Sequence, residues 1–308
     1  MSKRVIVTGA TGFIGRLTIP LLLSLGYEVH VLTNKNEIGP VTGELHSHQL
    51  DIFDYKEVRR ICRELQVENL LHLAWHGGVK NRMTSPENLS WVEASINLVR
   101  SFSENGGTRM VLAGSCAEYD WRYGYCNERI TPTEPASLYG VSKNTLHKLI
   151  SRFCQDSGIQ YSNGRIFFVY GPREAQNRFV ASIVKSLLAD QEVEVKHPDL
   201  IRDYLHATDV ANALVTLLDS NLEGAVNIGS GQPTRLRDMA RLIGDKLQKS
   251  ELIALDSAEN VPHKSPVVLA DATRLQNELG WKPNYNLENG LEATIDWWRE
   301  QNQIMIND

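Results

Sequence analysis

Two periodicities alternate along this chain. Short apolar runs bounded by glycine or polar residues read as buried parallel strands, and stretches with apolar residues three and four apart read as amphipathic helices. The first run is Val5-Ile6-Val7 within residues 4–8, and Ile14, Leu17, Leu21, Leu22 and Leu25 then mark a helix. Pro20 falls inside that helix and predicts a local kink, because it removes an interior hydrogen bond. Further strands are expected over 28–33, near 48–52, over 69–74, 109–113 and 160–169. Helices are expected over 55–65, from Ser85-Pro86-Glu87 to Glu104, and over 137–156. Ser85 suits the capping position and Pro86 the first helical position, while Gly106-Gly107 supplies a stop.

This rhythm predicts an α/β fold of the Rossmann type, a doubly wound parallel sheet with right-handed crossovers. After Gly171-Pro172 the pattern loosens into shorter elements with no linker. Residues 1–170 are therefore expected to form the dinucleotide-binding domain. Residues 171–308 are expected to form a smaller C-terminal substrate lobe, interleaved with the sheet rather than independent. No internal repeat is evident.

Composition narrows the partners. A net charge of −5 with mixed signs over 308 residues argues against nucleic acid or a membrane surface. No apolar run reaches the roughly 20 residues needed to span a bilayer, and the first strand begins without a signal-peptide core. A cytoplasmic protein is the expectation. Cys62, Cys116, Cys126 and Cys154 are widely spaced and read as reduced thiols. His46 and His48 flank Ser47, but no third ligand has matching spacing, so they read as a solvated loop and no metal is expected.

The chemistry begins at Gly9-Ala10-Thr11-Gly12-Phe13-Ile14-Gly15, between the first strand and its helix. Gly9 lets the chain turn, Gly12 lets backbone amides approach a pyrophosphate, and Gly15 lets the helix pack on the strand. The freed amides and the helix dipole suit phosphate. Of the ten tyrosines only Tyr139 has a lysine four residues later, Lys143, so both project from one helix face. An ammonium beside a phenol is expected to favour phenolate and to lower its pKa from about 10 toward working pH. Ser115 follows the strand over 109–113, at the carboxyl edge where open α/β sheets bind ligands.

Taken in order, Thr8 to Gly15, Asp51-Ile52, His72-Leu73-Ala74, Asn97, Ser115 with Tyr119, Tyr139-Gly140-Val141-Ser142-Lys143, Tyr170-Gly171-Pro172, Arg202-Asp203-Tyr204-Leu205-His206 and Leu279-Gly280-Trp281-Lys282-Pro283 span nearly the whole chain. In this the chain resembles the extended short-chain dehydrogenases/reductases of the nucleotide-sugar epimerase, dehydratase and reductase group. The resemblance implies that Ser115 and Tyr139 bond the reacting sugar oxygen, with Lys143 supporting the phenol and the cofactor ribose. It implies cofactor contacts at Gly9, Thr11, Gly12, Phe13, Ile14, Asn34, Lys35, Asp51, Ile52, Leu73, Ala74, Trp75, Ala113, Tyr139, Lys143 and Ile166. Substrate contacts are implied at His76, Ser115, Cys116, Ala117, Phe168, Arg178 and Arg202, with Arg202 on the diphosphate unless Asp203 or Asp209 pairs with it. The group commonly forms a homodimer through two helices of each subunit, a four-helix bundle.

Departures from the group's pattern narrow the reaction. Cys116 and Ala117 stand where 4,6-dehydratases carry an Asp-Glu pair, and Glu118 is expected to point to the other side of the strand. Ala117 and Arg178 stand where 3,5-epimerase/reductases need cysteine and histidine. Thr33-Asn34-Lys35 offers no carboxylate to the ribose, which favours NADP(H) with NAD(H) possible. The expectation is a reductase of a nucleotide-linked 4-keto-6-deoxy hexose. A 4-epimerase or sugar dehydrogenase with bound NAD is the first alternative, and a non-catalytic dinucleotide-binding redox sensor the second. Phe168 reads either as a shaped sugar pocket or as core packing, and His76 as a candidate second acid/base.

Overall fold

The structure is a computed structural model describing residues 3–34, 42–76, 81–256 and 265–307, with side chains to residue 302. In chain order its elements are β1 (Lys3–Thr8), α1 (Gly15–Ser24), β2 (Tyr27–Thr33), β3 (Leu45–Gln49), α2 (Tyr55–Leu65) and β4 (Asn69–His72). Next come α3 (Glu87–Glu104), β5 (Arg109–Ser115), β6 (Tyr125–Cys126), α4 (Leu138–Ser157), β7 (Gln160–Ile166) and β8 (Phe168–Tyr170). They are followed by α5 (Phe179–Leu188), β9 (Val193–Lys196), β10 (Ile201–His206), α6 (Ala207–Leu218) and β11 (Gly224–Ile228). The chain closes with β12 (Pro233–Arg235), α7 (Leu236–Leu247), β13 (Ile253–Asp256), β14 (Val267–Ala270) and α8 (Leu287–Asn307).

A seven-stranded sheet runs β11-β7-β5-β4-β1-β2-β3. All of its ladders are parallel. Alternate side chains of each strand serve opposite faces. Val5 and Val7 join Ile19 and Leu22 of α1 and Val210 and Leu214 of α6 on one face. Ile6 joins Val58 of α2, Leu98 of α3 and Ile150 of α4 on the other. This is the doubly wound α/β sheet that the pattern predicts, and no helix among the described residues is long and apolar enough to cross a membrane.

Two local expectations change. β3 covers Leu45–Gln49 rather than 48–52, because its pairing with β2 sets the register and Asp51 turns into the Asp54-capped start of α2. The strand expected over 160–169 divides: β7 stays in the main sheet, whereas β8 pairs with β10. Helix α1 runs from Gly15 to Ser24 with Pro20 in its interior, as read. The start of α3 is as read, with the Ser85 hydroxyl accepting the Glu87 amide at 3.3 Å and Pro86 at φ −63°.

Residues beyond 170 do two jobs. β11 and α6 complete the main sheet, while β12-β10-β14-β6, with β8 beside β10, forms a second sheet. α5, α7 and α8 pack around Ile183, Met239, Ile243, Leu291 and Trp298. Asp203, fully buried on β10, holds the two sheets in relation. Its carboxylate accepts the Ser230 amide and hydroxyl at 2.7 Å each, the Gly231 amide at 2.9 Å and the Ala270 amide at 3.1 Å. Asp203→Ala strands three amides at about 1–3 kcal/mol each when buried. Equilibrium denaturation is expected to show a loss of about 3 kcal/mol or more, and a loss under about 1 kcal/mol would contradict this role.

Candidate active site

The glycine turn takes the form its composition demands. Gly9 has φ +73°, and a Cβ there would lie 2.7 Å from the Ala74 amide nitrogen. A Cβ on Gly15 would lie 2.0 Å from the Gly9 carbonyl oxygen, so only glycine lets α1 start this close to β1. The Gly12 amide closes the turn onto that carbonyl at 3.0 Å. Thr11 and Gly12 are exposed, and Phe13 and Ile14 half-buried. Arg16, which the sequence reading did not single out, ties this turn to the segment after β8 by donating to the Pro172 carbonyl at 2.8 Å.

The expected cofactor residues lie along the carboxyl edge of one sheet, which is where a doubly wound fold puts a dinucleotide. Asn34 follows β2, and Asp51 and Ile52 follow β3. Leu73, Ala74, Trp75 and His76 follow β4, Ala113 and Ser115 end β5, and Ile166 ends β7 opposite Ser115. Lys35 lies outside the described residues. Beneath this edge Thr8 Oγ1 meets His72 Nδ1 at 2.6 Å, and His72 Nε2 meets the Ser95 hydroxyl at 2.8 Å. Burial, assisted by Lys143, lowers the His72 pKa to about 3, so this link between β1, β4 and α3 is uncharged.

Ser115, Tyr139 and Lys143 meet at the end of β5. Ser137 caps α4 by accepting the Gly140 amide at 3.1 Å, which sets Tyr139 in the first turn. Gly140 permits close approach: a Cβ there would fall 2.2 Å from the Ala117 carbonyl oxygen. Tyr139 is thereby buried, at 7% exposure, within hydrogen-bonding reach of Ser115. Arg82 stacks on the phenol ring at 4.7 Å, a contact supplied by a loop and not visible in any spacing.

The electrostatics correct the sequence expectation. Lys143 does not turn toward the phenol; its Nζ donates to the Ala113 carbonyl at 2.8 Å and lies 3.7 Å from the Trp75 ring centre. Burial raises the Tyr139 pKa, with Arg82 and Ser115 opposing the rise. Burial also lowers that of Lys143 to about 7, against a pull upward from Glu118.

Glu118 lies on the far side of β5, as expected, but reaches it from a turn rather than as a strand residue. It curls back beneath Ser115 from a short 3₁₀ turn and accepts the Ser115 amide at 2.8 Å. Its carboxylate also takes Arg165 Nε at 2.8 Å and Asn163 Nδ2 at 2.9 Å, with no exposure to solvent. The Arg165 charge holds the Glu118 pKa below its ordinary value although burial pushes it up.

The remaining candidates come from both halves of the chain. Cys116 and Ala117 are buried, and the Cys116 carbonyl accepts the Trp121 indole at 2.7 Å. Trp121 and Tyr204 lie 6.3 and 5.7 Å from the half-buried Phe168 ring, and Arg202 lies 5.5 Å from the same ring. Arg202 donates to the Ile201 and Ser265 carbonyls at 2.7 and 3.1 Å. Among the described residues it has no carboxylate partner: Asp203 is engaged as above, and Asp209 accepts the Asn284 and Tyr285 amides. Arg178, at the start of α5, is within electrostatic reach of Arg82, Glu174 and Tyr139. His76 pairs with Glu87 at 2.8 Å.

The fold is a Rossmann-type α/β sheet that gathers Ser115, Tyr139 and Lys143 at the carboxyl end of β5. The chain belongs to the NAD dependent epimerase/dehydratase family, whose sequence pattern matches residues 5–229. It is similar to UDP-glucuronic acid decarboxylase 1 of Xenopus tropicalis, with 26% identity over 99% of this chain and 74% of that protein. It is also similar to UDP-glucuronate 4-epimerase of Thermodesulfobacterium geofontis, with 24% identity over 97% of each. Among solved structures, UDP-glucose 4-epimerase of Thermus thermophilus in complex with NAD superposes with a TM-score of 0.83 at 27% identity, over 96% of this chain and 99% of that one. UDP-glucose 4-epimerase of Thermotoga maritima, solved with UDP-glucose, shares the fold with a TM-score of 0.84 at 23% identity, over 97% of this chain and 99% of that one.

The buried lysine gives a testable dependence on pH. The folded-state pKa of about 7 lies below the ordinary 10.5, so between these values the unfolded chain holds a proton that the folded chain has lost. Stability from this group therefore rises with pH through that window. Denaturant unfolding of wild type and Lys143→Met at pH 7 and pH 9 is expected to show the wild type gaining on the variant at the higher pH. Equal pH dependence of the two would contradict a depressed lysine.

Proposed function

We propose that the protein interconverts nucleotide-linked hexoses by reversible oxidation at a ring carbon whose oxygen is held between Ser115 and Tyr139. The observation that carries this reading is a buried phenol beside a serine hydroxyl, at the sheet edge onto which the glycine turn opens. The cradle fits a dinucleotide, since a Cβ at Gly9 or Gly15 would strike backbone. The amides of Thr11 to Ile14 would hold the diphosphate, and Lys143 the nicotinamide ribose. When bound, the nicotinamide supplies a hydride acceptor and donor.

The protein's own share is proton transfer and positioning. Ser115 Oγ fixes the sugar oxygen, and the Tyr139 hydroxyl exchanges a proton with it. Arg82 steadies negative charge on the phenol as that proton moves. Arg202 suits the substrate diphosphate, because a guanidinium already desolvated and, among the described residues, without a carboxylate partner gains from an anion, and Arg178 adds positive charge near Tyr139. Trp121, Phe168 and Tyr204 offer aromatic faces to a base or sugar ring.

Similarity to 4-epimerases and to an NAD complex supports NAD-dependent epimerisation as the leading form of this reaction. A second form, reduction of a 4-keto-6-deoxy hexose with NADP(H), is favoured by the neutral Asn34 just past the end of β2. Pairing of α3 and α4 with a second copy as a four-helix bundle is supported by Leu89, Val141 and Leu149, which are exposed at 61%, 45% and 49%.

Chromatography of nucleotide sugars and absorbance at the wavelength of the reduced nicotinamide test the function together. Purified protein with NAD and UDP-glucose or UDP-glucuronate is expected to form the 4-epimer without net cofactor change. Stoichiometric consumption of NADPH with a nucleotide-linked 4-keto-6-deoxy sugar would select the reductase instead. Tyr139→Phe is expected to lose about 10²–10⁴-fold in either reaction, as removal of a general acid–base does. Absence of both reactions, or full activity in Tyr139→Phe, would overturn the proposal.

A further inference from the structure

The outer edge of the main sheet carries a cluster of side chains that hydride transfer does not use. Glu28 and His30 are two apart on β2, and His46 and His48 two apart on β3, so each pair shares a face. The parallel register sets His30 opposite His46 and Leu32 opposite His48, which brings all four residues to the same face. The two strands have no such relation in the linear spacing.

Within the cluster, Glu28 Oε1 lies 3.1 Å from His30 Nε2 and 3.5 Å from His46 Nε2. One ligand atom from each of the three residues falls within 4.8 Å of the others. Ligands held at roughly 2.0–2.2 Å around a tetrahedral zinc ion stand about 3.3–3.6 Å from one another. The observed separations from Glu28 are therefore close to those of a filled site. The remaining adjustment falls on His46, whose side chain is 50% exposed on an edge strand and is free to turn. His30 is buried and cannot easily be displaced.

His48 completes the arrangement. Its Nε2 lies 3.0 Å from His30 Nδ1. With the proton of His30 on Nδ1 and donated to His48, the Nε2 lone pair points into the space shared with Glu28 and His46. Metal-bound histidines use such an outer hydrogen bond to fix tautomer and ring orientation. The nearby guanidinium of Arg60 is engaged by Glu57 at 2.9 Å and Glu64 at 2.7 Å, which limits its opposition to a cation.

We propose that Glu28, His30 and His46 bind one divalent transition-metal ion of the zinc class, with His48 orienting His30 and water completing the coordination. Imidazole with a carboxylate suits zinc, copper or nickel rather than magnesium or calcium. The site sits on the amino-terminal half of β2, away from the carboxyl edge that holds the glycine turn and Tyr139. Its role is structural: the ion joins β2 to the edge strand β3, which leads into Asp51 and Ile52. The site stands apart from the nucleotide-sugar reading.

Isothermal titration of the full-length, chelator-stripped protein with zinc chloride tests the proposal, with thermal unfolding followed in parallel. One equivalent per chain is expected, with an unfolding midpoint that rises with zinc concentration. His46→Ala, an exposed substitution, is expected to keep the metal-free midpoint and far-ultraviolet spectrum while losing the stoichiometric binding and the zinc-dependent rise. His48→Ala is expected to weaken binding by about tenfold or more, as loss of an outer partner does. No stoichiometric binding by wild type, or undiminished binding by His46→Ala, would overturn the site.

Discussion

A carboxylate sealed behind β5 is the constraint on which the active centre depends. Glu118 is fully buried and holds three groups at once: the Ser115 amide at the strand end, and Asn163 and Arg165 on the neighbouring strand. An ion pair so placed contributes little net stability, because desolvation of both charges offsets their attraction. Its value is positional. With one partner absent the other charge would remain buried and uncompensated, so the strand end, the serine and the turn after it are confined to one arrangement.

The centre is built against its own comfort. Lys143 is held in an apolar setting with its ammonium on a backbone carbonyl and over an indole, and burial lowers its pKa to about 7. Burial also raises the Tyr139 pKa. The two pKa values are thus moved in opposite senses, both toward the neutral form, as at many functional sites. Arg82 and Arg178 lie within electrostatic reach of Tyr139, so positive charge gathers beside the phenol. Asp203 keeps the two sheets in register.

Much of this was legible in the sequence because it rests on short-range geometry. Gly9 and Gly15 announce a turn that no side chain can enter, and Ser115 and Tyr139 follow from a strand end and a helix start. What escaped depends on pairing, loops and rotamers. The β3 segment is Leu-His-Ser-His-Gln, with no apolar alternation to set its limits, so its register comes from β2 alone. His30 and Glu28 consequently could not be joined to His46 by counting residues. Glu118 looked one place too far along because the strand ends at Ser115 and the chain curls back. Lys143 shares a helix face with Tyr139, as spacing requires, yet its rotamer sends the ammonium to Ala113.

A buried Glu118–Arg165 pair that holds Ser115 in place is the feature on which all of this turns. The most direct measurement is the unfolding free energy of Glu118→Gln set beside its turnover of the proposed nucleotide-sugar substrate. A loss of about 3 kcal/mol or more is expected from the uncompensated Arg165, together with a turnover rate at least tenfold lower while the variant is still fully folded. Wild-type stability and wild-type turnover in that variant would contradict the positional role of the pair.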